Sequence, residues 1–323
     1  MEVQKDRQGR DDASWALIAL TGFAFLLLQT AEVFRVEPAG LVAPASILFL
    51  LLLASAAARC APTVHPMAEA LPFFRQVVVF SCIAGALSYQ VAAHGGPLWD
   101  SAFRAWDQAL GFDSPAFFAI LEARPLLASL NEAMYHSLIP QMVTALLALA
   151  WCGNLLEMRV LLFASIASGL AAVLISAALP AAGNLYSPGA YPNLGSSAAW
   201  LHRADIAGLR DGSLRTLDFA SLQGIVTFPS YHAALATIYI AAFRSVPGLR
   251  WLGGGWAVLT IASTPAGGGH YLVDVIAGIA LALAALALAR RAIFWNAAAA
   301  LRLDSPRRAR GRRSASAGRA AEW

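Results

Sequence analysis

The chain has 323 residues, of which 59% are hydrophobic and only 13% are charged, and its formal net charge is +4. Soluble domains carry about 25% charged residues, so the composition excludes an ordinary soluble protein. The apolar residues also fall in long runs, and a run of roughly 18 or more apolar residues indicates a membrane span. We therefore take the lipid bilayer as the main solvent of this chain.

The apolar runs predict an all-α, polytopic membrane bundle of about eight transmembrane helices. The predicted spans are residues 14–34, 41–59, 75–93, 131–151, 158–181, 229–246, 249–266 and 270–293. Residues 96–126 mix aromatic and charged side chains, which predicts an interfacial pair of amphipathic helices that breaks at Ser114-Pro115. Residues 182–228 form a longer polar loop.

These elements divide the chain into four predicted parts. Residues 1–13 are a cytoplasmic N-terminal segment, and residues 14–70 hold two additional transmembrane helices. Residues 71–296 contain the other six spans and their outer loops. Residues 297–323 are rich in arginine and predict a basic, disordered cytoplasmic tail.

The distribution of basic residues predicts the orientation. With the N-terminus inside, the inner segments hold 17 lysines and arginines and the outer segments hold 6, as the positive-inside rule requires. Both termini are then cytoplasmic. We expect an integral protein of a bacterial inner (plasma) membrane, with the 182–228 loop and the starts of the sixth and eighth spans facing the periplasm or exterior.

The start of the eighth span carries a histidine and a carboxylate. His270 and Asp274 are four residues apart and share one helical face, so the carboxylate can accept the imidazole Nδ1–H and leave Nε2 free as a base or nucleophile. A charged residue within a span is costly and usually has a partner. The preceding Gly267-Gly268-Gly269 lets the backbone approach a ligand closely, so Gly269 is a candidate phosphate contact.

The start of the sixth span carries the second constellation. Pro229 suits the first position of a helix, and the free amides of a first turn form an anion site. Ser230 and Tyr231 are candidate phosphate-binding residues there, and His232 lies beside them. Taken alone, a histidine in a membrane helix is more often a packed residue, a His-x-x-x-Asp pair can be structural or metal-binding, and a glycine triplet is usually a turn. Both constellations open helices on the same membrane side, which favours a shared site.

Together the two constellations predict a two-step displacement at phosphorus. His270 attacks and forms a phosphohistidine, His232 protonates the leaving oxygen, and water or an alcohol then takes the phosphoryl group. No metal and no cofactor is required if arginines and amides hold the phosphate oxygens.

The outer loop offers Arg203, Arg210 and Arg215 for that role, with Arg210 preferred and Arg215 second. All three could instead be solvated or paired with loop aspartates. Asn131, Tyr135 and His136 open the fourth span on the same side. We expect them to anchor the membrane interface, and Tyr135 is the one most expected to line a pocket instead.

The two motifs are familiar. Phe228-Pro229-Ser230-Tyr231-His232, followed by His270-Tyr271, Asp274 and Gly278, resembles the type 2 phosphatidic acid phosphatase superfamily, a group of metal-independent membrane phosphatases and phosphotransferases with a six-helix core. The resemblance covers roughly spans three to eight. It implies that His232 is the general acid, His270 the nucleophile and Asp274 the residue that orients it.

The chain also departs from the superfamily pattern. The usual Lys separated by six residues from Arg-Pro is absent, since Arg124-Pro125 is preceded by phenylalanine at position 117. Ser263-Thr264 stands where Ser-Arg is usual, and Tyr231 stands where glycine is usual. With a bulky residue before its first histidine, the motif is similar to that of inositol phosphorylceramide synthase and its bacterial relatives. These enzymes transfer a phosphoinositol head group to a lipid hydroxyl.

The expected partners are therefore a lipid phosphate or phospholipid substrate, the bilayer itself and a lipid hydroxyl acceptor, with no nucleic acid. Two other functions stay open at this point. One is a proton-coupled lipid carrier that uses the intramembrane His and Asp as a relay, and the other is a catalytically inactive scaffold with the same fold.

Overall fold

A computed structural model describes residues 2–31, 33–60 and 65–293 of the chain, with side chains from residue 13 onward. The tail expected at 297–323 lies outside these residues. Almost all of the regular structure is α-helical. The helices are α1 (Glu2–Gln29), α2 (Val42–Cys60), α3 (Leu71–His94), α4 (Asp100–Ala109), α5 (Ser114–Glu122), α6 (Pro125–His136), α7 (Leu138–Trp151), α8 (Leu155–Ala178), α9 (Ala198–Asp211), α10 (Tyr231–Arg244), α11 (Arg250–Ser263) and α12 (Leu272–Ile293).

Short elements connect these helices. Two 3-10 turns (Pro38–Leu41 and Pro66–Ala70) precede α2 and α3, and a π-helical turn (Thr264–Gly268) follows α11. The two-residue strands β1 (Arg35–Val36) and β2 (Thr216–Leu217) pair in parallel. This pairing ties the link after α1 to the outer loop between α9 and α10.

The all-helical membrane bundle is confirmed. Seven of the eight predicted spans each overlap one helix, and the fourth overlaps two. Within the described residues, four helices are long and apolar enough to cross a bilayer, namely Pro38–Cys60, Pro66–His94, Leu155–Ala178 and Leu272–Ile293, and a bent pair of helices would be a fifth span. The helices α10 and α11 have 14 residues each, about 21 Å at 1.5 Å per residue, and the apolar part of α1 is Ala13–Gln29. These three segments are shorter than a hydrocarbon core of about 30 Å.

The predicted fourth span, 131–151, is a broken helix. It consists of the second half of α6 and the whole of α7, which meet at Ser137 with a bend of 54°. Pro140 explains the break, because proline has no N–H to donate to the carbonyl of His136 and its ring clashes with that carbonyl. The bend brings the α6 residues toward the site described below.

The span α8 forms the centre of the bundle and α2 its periphery. In α8, 67% of the apolar window is buried, whereas no residue in the corresponding window of α2 is buried. The helices α3, α7 and α10 pack against α8, and α2 packs against α3. The bundle therefore surrounds α8 and leaves α2 in contact with lipid.

The predicted interfacial pair 96–126 consists of α4 and α5. Asp113 caps α5 by accepting the Ala116 N–H at 3.1 Å, and Pro115 takes an early helical position where no N–H is needed. The α4 side chains Phe103 and Asp107 are buried against the rest of the protein. The pair therefore packs against the bundle through one buried face of α4.

The starts of α10 and α12 are in direct contact. The backbone N–H of Ser230 donates to the Asp274 carbonyl at 3.0 Å. One turn further along α12, Gly278 lies so close to the Ser230 carbonyl oxygen that a Cβ atom there would overlap it. A glycine at 278 is thus required for the two motifs to approach each other.

We predict that Gly278→Ala lowers the free energy of unfolding of the protein in detergent by about 1–3 kcal/mol, the usual range for overpacking, and so lowers its melting temperature. Gly254→Ala in α11 is the matched control, because a Cβ there meets open space and alanine is the better helix former by about 1 kcal/mol. Equal melting temperatures of the two variants would contradict the close approach of α10 and α12.

Candidate active site

His270 and Asp274 form the buried pair expected from their spacing. The His270 Nδ1 lies 3.4 Å from Asp274 Oδ2, and the same oxygen accepts the backbone N–H of Tyr271 at 2.8 Å. Asp274 is fully buried and His270 is 5% exposed. With Nδ1–H directed to the carboxylate, the imidazole Nε2 carries the free lone pair.

The glycine triplet shapes the turn that presents His270. Gly269 has a φ of +68°, in the left-handed region where L side chains are strained. At Gly268 a Cβ would lie 3.1 Å from His270 Nε2 and closer still to its Cδ2, and at Gly267 it would meet the ring of Tyr135 at 2.6 Å. The glycine triplet therefore forms the tight turn and also leaves space beside His270 Nε2.

His232 lies in the first turn of α10 and stacks on Tyr135. The two ring centroids are 4.4 Å apart and the planes differ by 10°. Ser230 caps this helix, since its hydroxyl oxygen accepts the Ala233 N–H at 3.3 Å. The bend at Ser137 places Tyr135 here, and Tyr135 is thus the residue of its group that lines the pocket.

One cavity of about 130 Å³ brings the two predicted histidines together. His232, His270, Gly268 and Tyr135 line one part of its wall. The rest of the wall comes from α9 and the stretch before α10, with His202 and Gln223 as its main polar side chains. The cavity can hold a group the size of a phosphate between the two histidines.

Two carboxylates of α4 accept backbone N–H groups near the site, a role that neither histidine motif predicts. Asp107 accepts the backbone N–H groups of Leu272 (2.8 Å) and Val273 (2.9 Å), so it caps α12 from another helix. Burial raises the pKa of the Asp107 carboxyl, and these two hydrogen bonds act against the rise. Asp100 accepts the N–H groups of Ala182 and Gly183.

A signal for this role exists in the sequence. Asp100, Phe103 and Asp107 are spaced three and four residues apart, so they share one face of a helix. In the structure that face points inward, where Phe103 is fully buried and Asp107 is 1% exposed. A face that combines carboxylates with an aromatic ring indicates a packed polar contact as much as a membrane interface.

The other predicted phosphate-binding residues are dispersed. Ser230 serves as the helix cap and is fully buried. The Tyr231 hydroxyl donates to the Ser165 carbonyl at 3.0 Å, on the membrane side. Gly269 forms the turn, and its carbonyl accepts the Asn184 N–H at 2.7 Å.

The two predicted arginines do not line this cavity. Arg210 donates two hydrogen bonds of 3.0 Å to the Gly96 carbonyl. Arg215 donates to the carbonyls of Leu209 and Leu214. In the described part of the chain, no group of three or more His, Cys, Asp or Glu side chains is arranged to hold a metal ion.

Comparison with known proteins decides the family. The family model described as the PAP2 superfamily matches residues 101–288, more than half of the chain. This chain belongs to the PAP2 superfamily. The match begins in α4, ends in α12 and includes both histidine motifs, so the resemblance found in the sequence is confirmed at this level. Neither the search of curated proteins nor the search of solved structures gave a match.

Membership in the PAP2 superfamily supports a function of the phosphatase or phosphotransferase type in a membrane. The family match also includes α4, whose Asp107 caps the helix that carries His270 and Asp274. The interfacial helix is therefore part of the family unit and not an addition to it.

We predict that Asp107→Ala speeds hydrogen exchange at the amides of Leu272 and Val273 and destabilises the protein by about 1–2 kcal/mol, as the loss of a helix cap does. Asp113→Ala is the matched control, because it removes a cap of α5 instead. Hydrogen-exchange mass spectrometry of the peptide that begins at His270 measures the difference. Unchanged exchange in Asp107→Ala would contradict the capping role.

Proposed function

We propose that this PAP2 protein is a metal-independent lipid-phosphate phosphatase or head-group phosphotransferase that works through a phosphohistidine on His270. The observation that carries the proposal is the shared cavity of His232 and His270, with Asp274 hydrogen-bonded behind His270. A nucleophile, a residue that orients it and a second proton-carrying group are the parts that covalent catalysis needs.

In the proposed first step, the Nε2 lone pair of His270 attacks phosphorus and the bond from phosphorus to the leaving oxygen breaks. His232 donates its proton to that oxygen. The Asp274 carboxylate stabilises the positive charge that develops on the His270 ring, as the aspartate of a catalytic triad does.

In the second step, water or a lipid hydroxyl attacks the phosphohistidine. His232, now neutral, accepts the proton of the incoming oxygen, and the P–N bond breaks to restore His270. Water gives a phosphatase and a lipid alcohol gives a transferase, so the acceptor alone distinguishes the two.

A second cavity supports a lipid substrate. It has a volume of about 560 Å³ and lies between α2, α3, α7, α8 and α10 within the membrane. Its wall is mainly apolar, with Phe80, Ile166 and Leu235 among its members, and it includes Tyr231, the neighbour of His232. An acyl chain beside the start of α10 would keep the phosphate near the histidines.

The bulky Tyr231 before His232 further suggests transfer of a phosphoinositol head group, as in inositol phosphorylceramide synthase. The substrate would then be a phosphodiester and the acceptor a lipid hydroxyl. We propose that this chemistry occurs on the outer face of a bacterial inner membrane, with both termini in the cytoplasm, because the basic residues concentrate on the other side.

We predict that the purified protein, in detergent with EDTA, releases phosphate or transfers a head group from at least one of phosphatidic acid, isoprenyl pyrophosphate and phosphatidylinositol. Each lipid is tested with and without a ceramide or diacylglycerol acceptor. His270→Ala should abolish turnover, and Asp274→Asn should reduce it at least about 100-fold because the tautomer of His270 is no longer fixed.

Labelled phosphate should be trapped on the peptide that contains His270, in an acid-labile and alkali-stable form. Full activity of a folded His270→Ala variant would contradict the mechanism. Proton-coupled lipid flux without phosphate release would instead favour a carrier, and inactivity across the panel would favour an inactive scaffold.

The proposed orientation predicts which thiols an impermeant maleimide reaches in spheroplasts. Cys60 and Cys152 are exposed and are expected on the cytoplasmic side, so they should stay unlabelled until the membrane is opened. Ala190→Cys places a thiol at an exposed position of the outer loop and should be labelled in intact cells. The reverse pattern would place the histidine cavity on the cytoplasmic face.

A further inference from the structure

A third histidine lines the cavity that contains His232 and His270. This residue, His202, lies on α9 and also lines an adjoining cavity of about 350 Å³, and Gln223 lines both cavities as well. The His202 side chain is only 15% exposed. Neither the two motifs nor the proposed phosphohistidine steps assign it a role.

The position of His202 is set by packing against the His270 turn. Ser197 caps α9 by accepting the Trp200 N–H at 3.2 Å. The Ala199 methyl lies so close to Gly269 that a Cβ there would approach it to 2.7 Å. His202 is three residues after Ala199, on the same face of the helix, and therefore faces the same cavity.

Both ring nitrogens of His202 face hydrogen-bond acceptors. Nδ1 lies 3.4 Å from Asp205 Oδ2, and Nε2 lies 3.0 Å from Gln223 Oε1. Neither a carboxylate nor an amide oxygen can donate. When Nε2 carries the proton, it therefore donates to Gln223 Oε1 at the wall of the cavity.

The carboxylate beside the His202 ring is itself held in place. Asp205 is on the same helix, three residues after His202, and the hydroxyl of Tyr89 from α3 lies against it. A fixed carboxylate on the far side of an imidazole leaves the other ring nitrogen directed toward its second partner.

We propose that His202 binds the phosphate of the substrate through its Nε2–H, and that Gln223 binds it alongside. On substrate binding, the His202 Nε2–H transfers its hydrogen bond from Gln223 Oε1 to a non-bridging phosphate oxygen. The Gln223 amide is then free to turn its NH₂ group toward a second oxygen. No covalent bond changes in this step.

This inference rests on the proposed function, since the bound group is the phosphate that His270 attacks. It replaces the sequence-based choice of Arg210 and Arg215, whose guanidinium groups donate to backbone carbonyls elsewhere. A hydrogen bond to a charged phosphate oxygen is about twice as strong as a neutral one, so loss of the His202 donor should be measurable.

The test compares orthophosphate binding and turnover in the full-length wild-type protein and its variants. His202→Gln should raise the dissociation constant of orthophosphate, by calorimetry in detergent, and lower kcat/KM, each by about 10- to 100-fold. Arg203→Gln is the matched control on the same helix, because Arg203 stacks on Trp200 at 4.0 Å and should leave both values within about twofold. His202→Lys places a cationic donor at this position and should bind orthophosphate more tightly than His202→Gln.

Several outcomes would overturn the inference. One is that wild type and His202→Gln bind orthophosphate equally well. Another is that wild type does not bind it at all. A third is that Arg210→Gln loses binding while His202→Gln keeps it. A stability loss in His202→Gln that His202→Lys does not correct, with binding unchanged, would assign His202 a packing role. Failure of the proposed function gives a different result, namely unchanged turnover in His270→Ala whatever happens at His202.

Discussion

The junction between α10 and α12 is the contact on which the site depends. The Ser230 N–H binds the Asp274 carbonyl, and Gly278 leaves no space between the two helices. Backbone polar groups inside a membrane must find partners within the protein, so this hydrogen bond satisfies two of them and also fixes the distance between His232 and His270. Any residue with a side chain at 278 would separate the two motifs.

The carboxylates around this junction act as helix caps. Asp107 binds the first amides of α12 from α4, and Asp274 binds the Tyr271 N–H. These amides are consequently occupied by protein groups. In the proposed reaction, the hydrogen-bond donors to a phosphate would then be side chains at the cavity wall, where His202, His232 and His270 lie.

The local chemistry of the two motifs could be predicted from the sequence because it follows from short spacings. A separation of four residues places His270 and Asp274 on one face, and glycines before a helix indicate a tight turn. The broken fourth span could not be predicted from hydropathy, because Pro140 has an apolar side chain and its effect is on the backbone. The spacing of Asp100, Phe103 and Asp107 indicates an inward face but does not identify its partners, which lie 165 and 166 residues later in the chain. The position of His202 likewise depends on the packing of Ala199 against Gly269, which no local pattern encodes.

Arg210 and His202 differ in the partners that their side chains contact. Arginine has five donors and readily satisfies backbone carbonyls, and Arg210 does so at Gly96. A histidine has at most two N–H groups, and their directions are set by the partners of its ring. The His202 ring lies between the Asp205 and Gln223 oxygens at the wall of the cavity, so its partners hold it where the phosphate is proposed to bind.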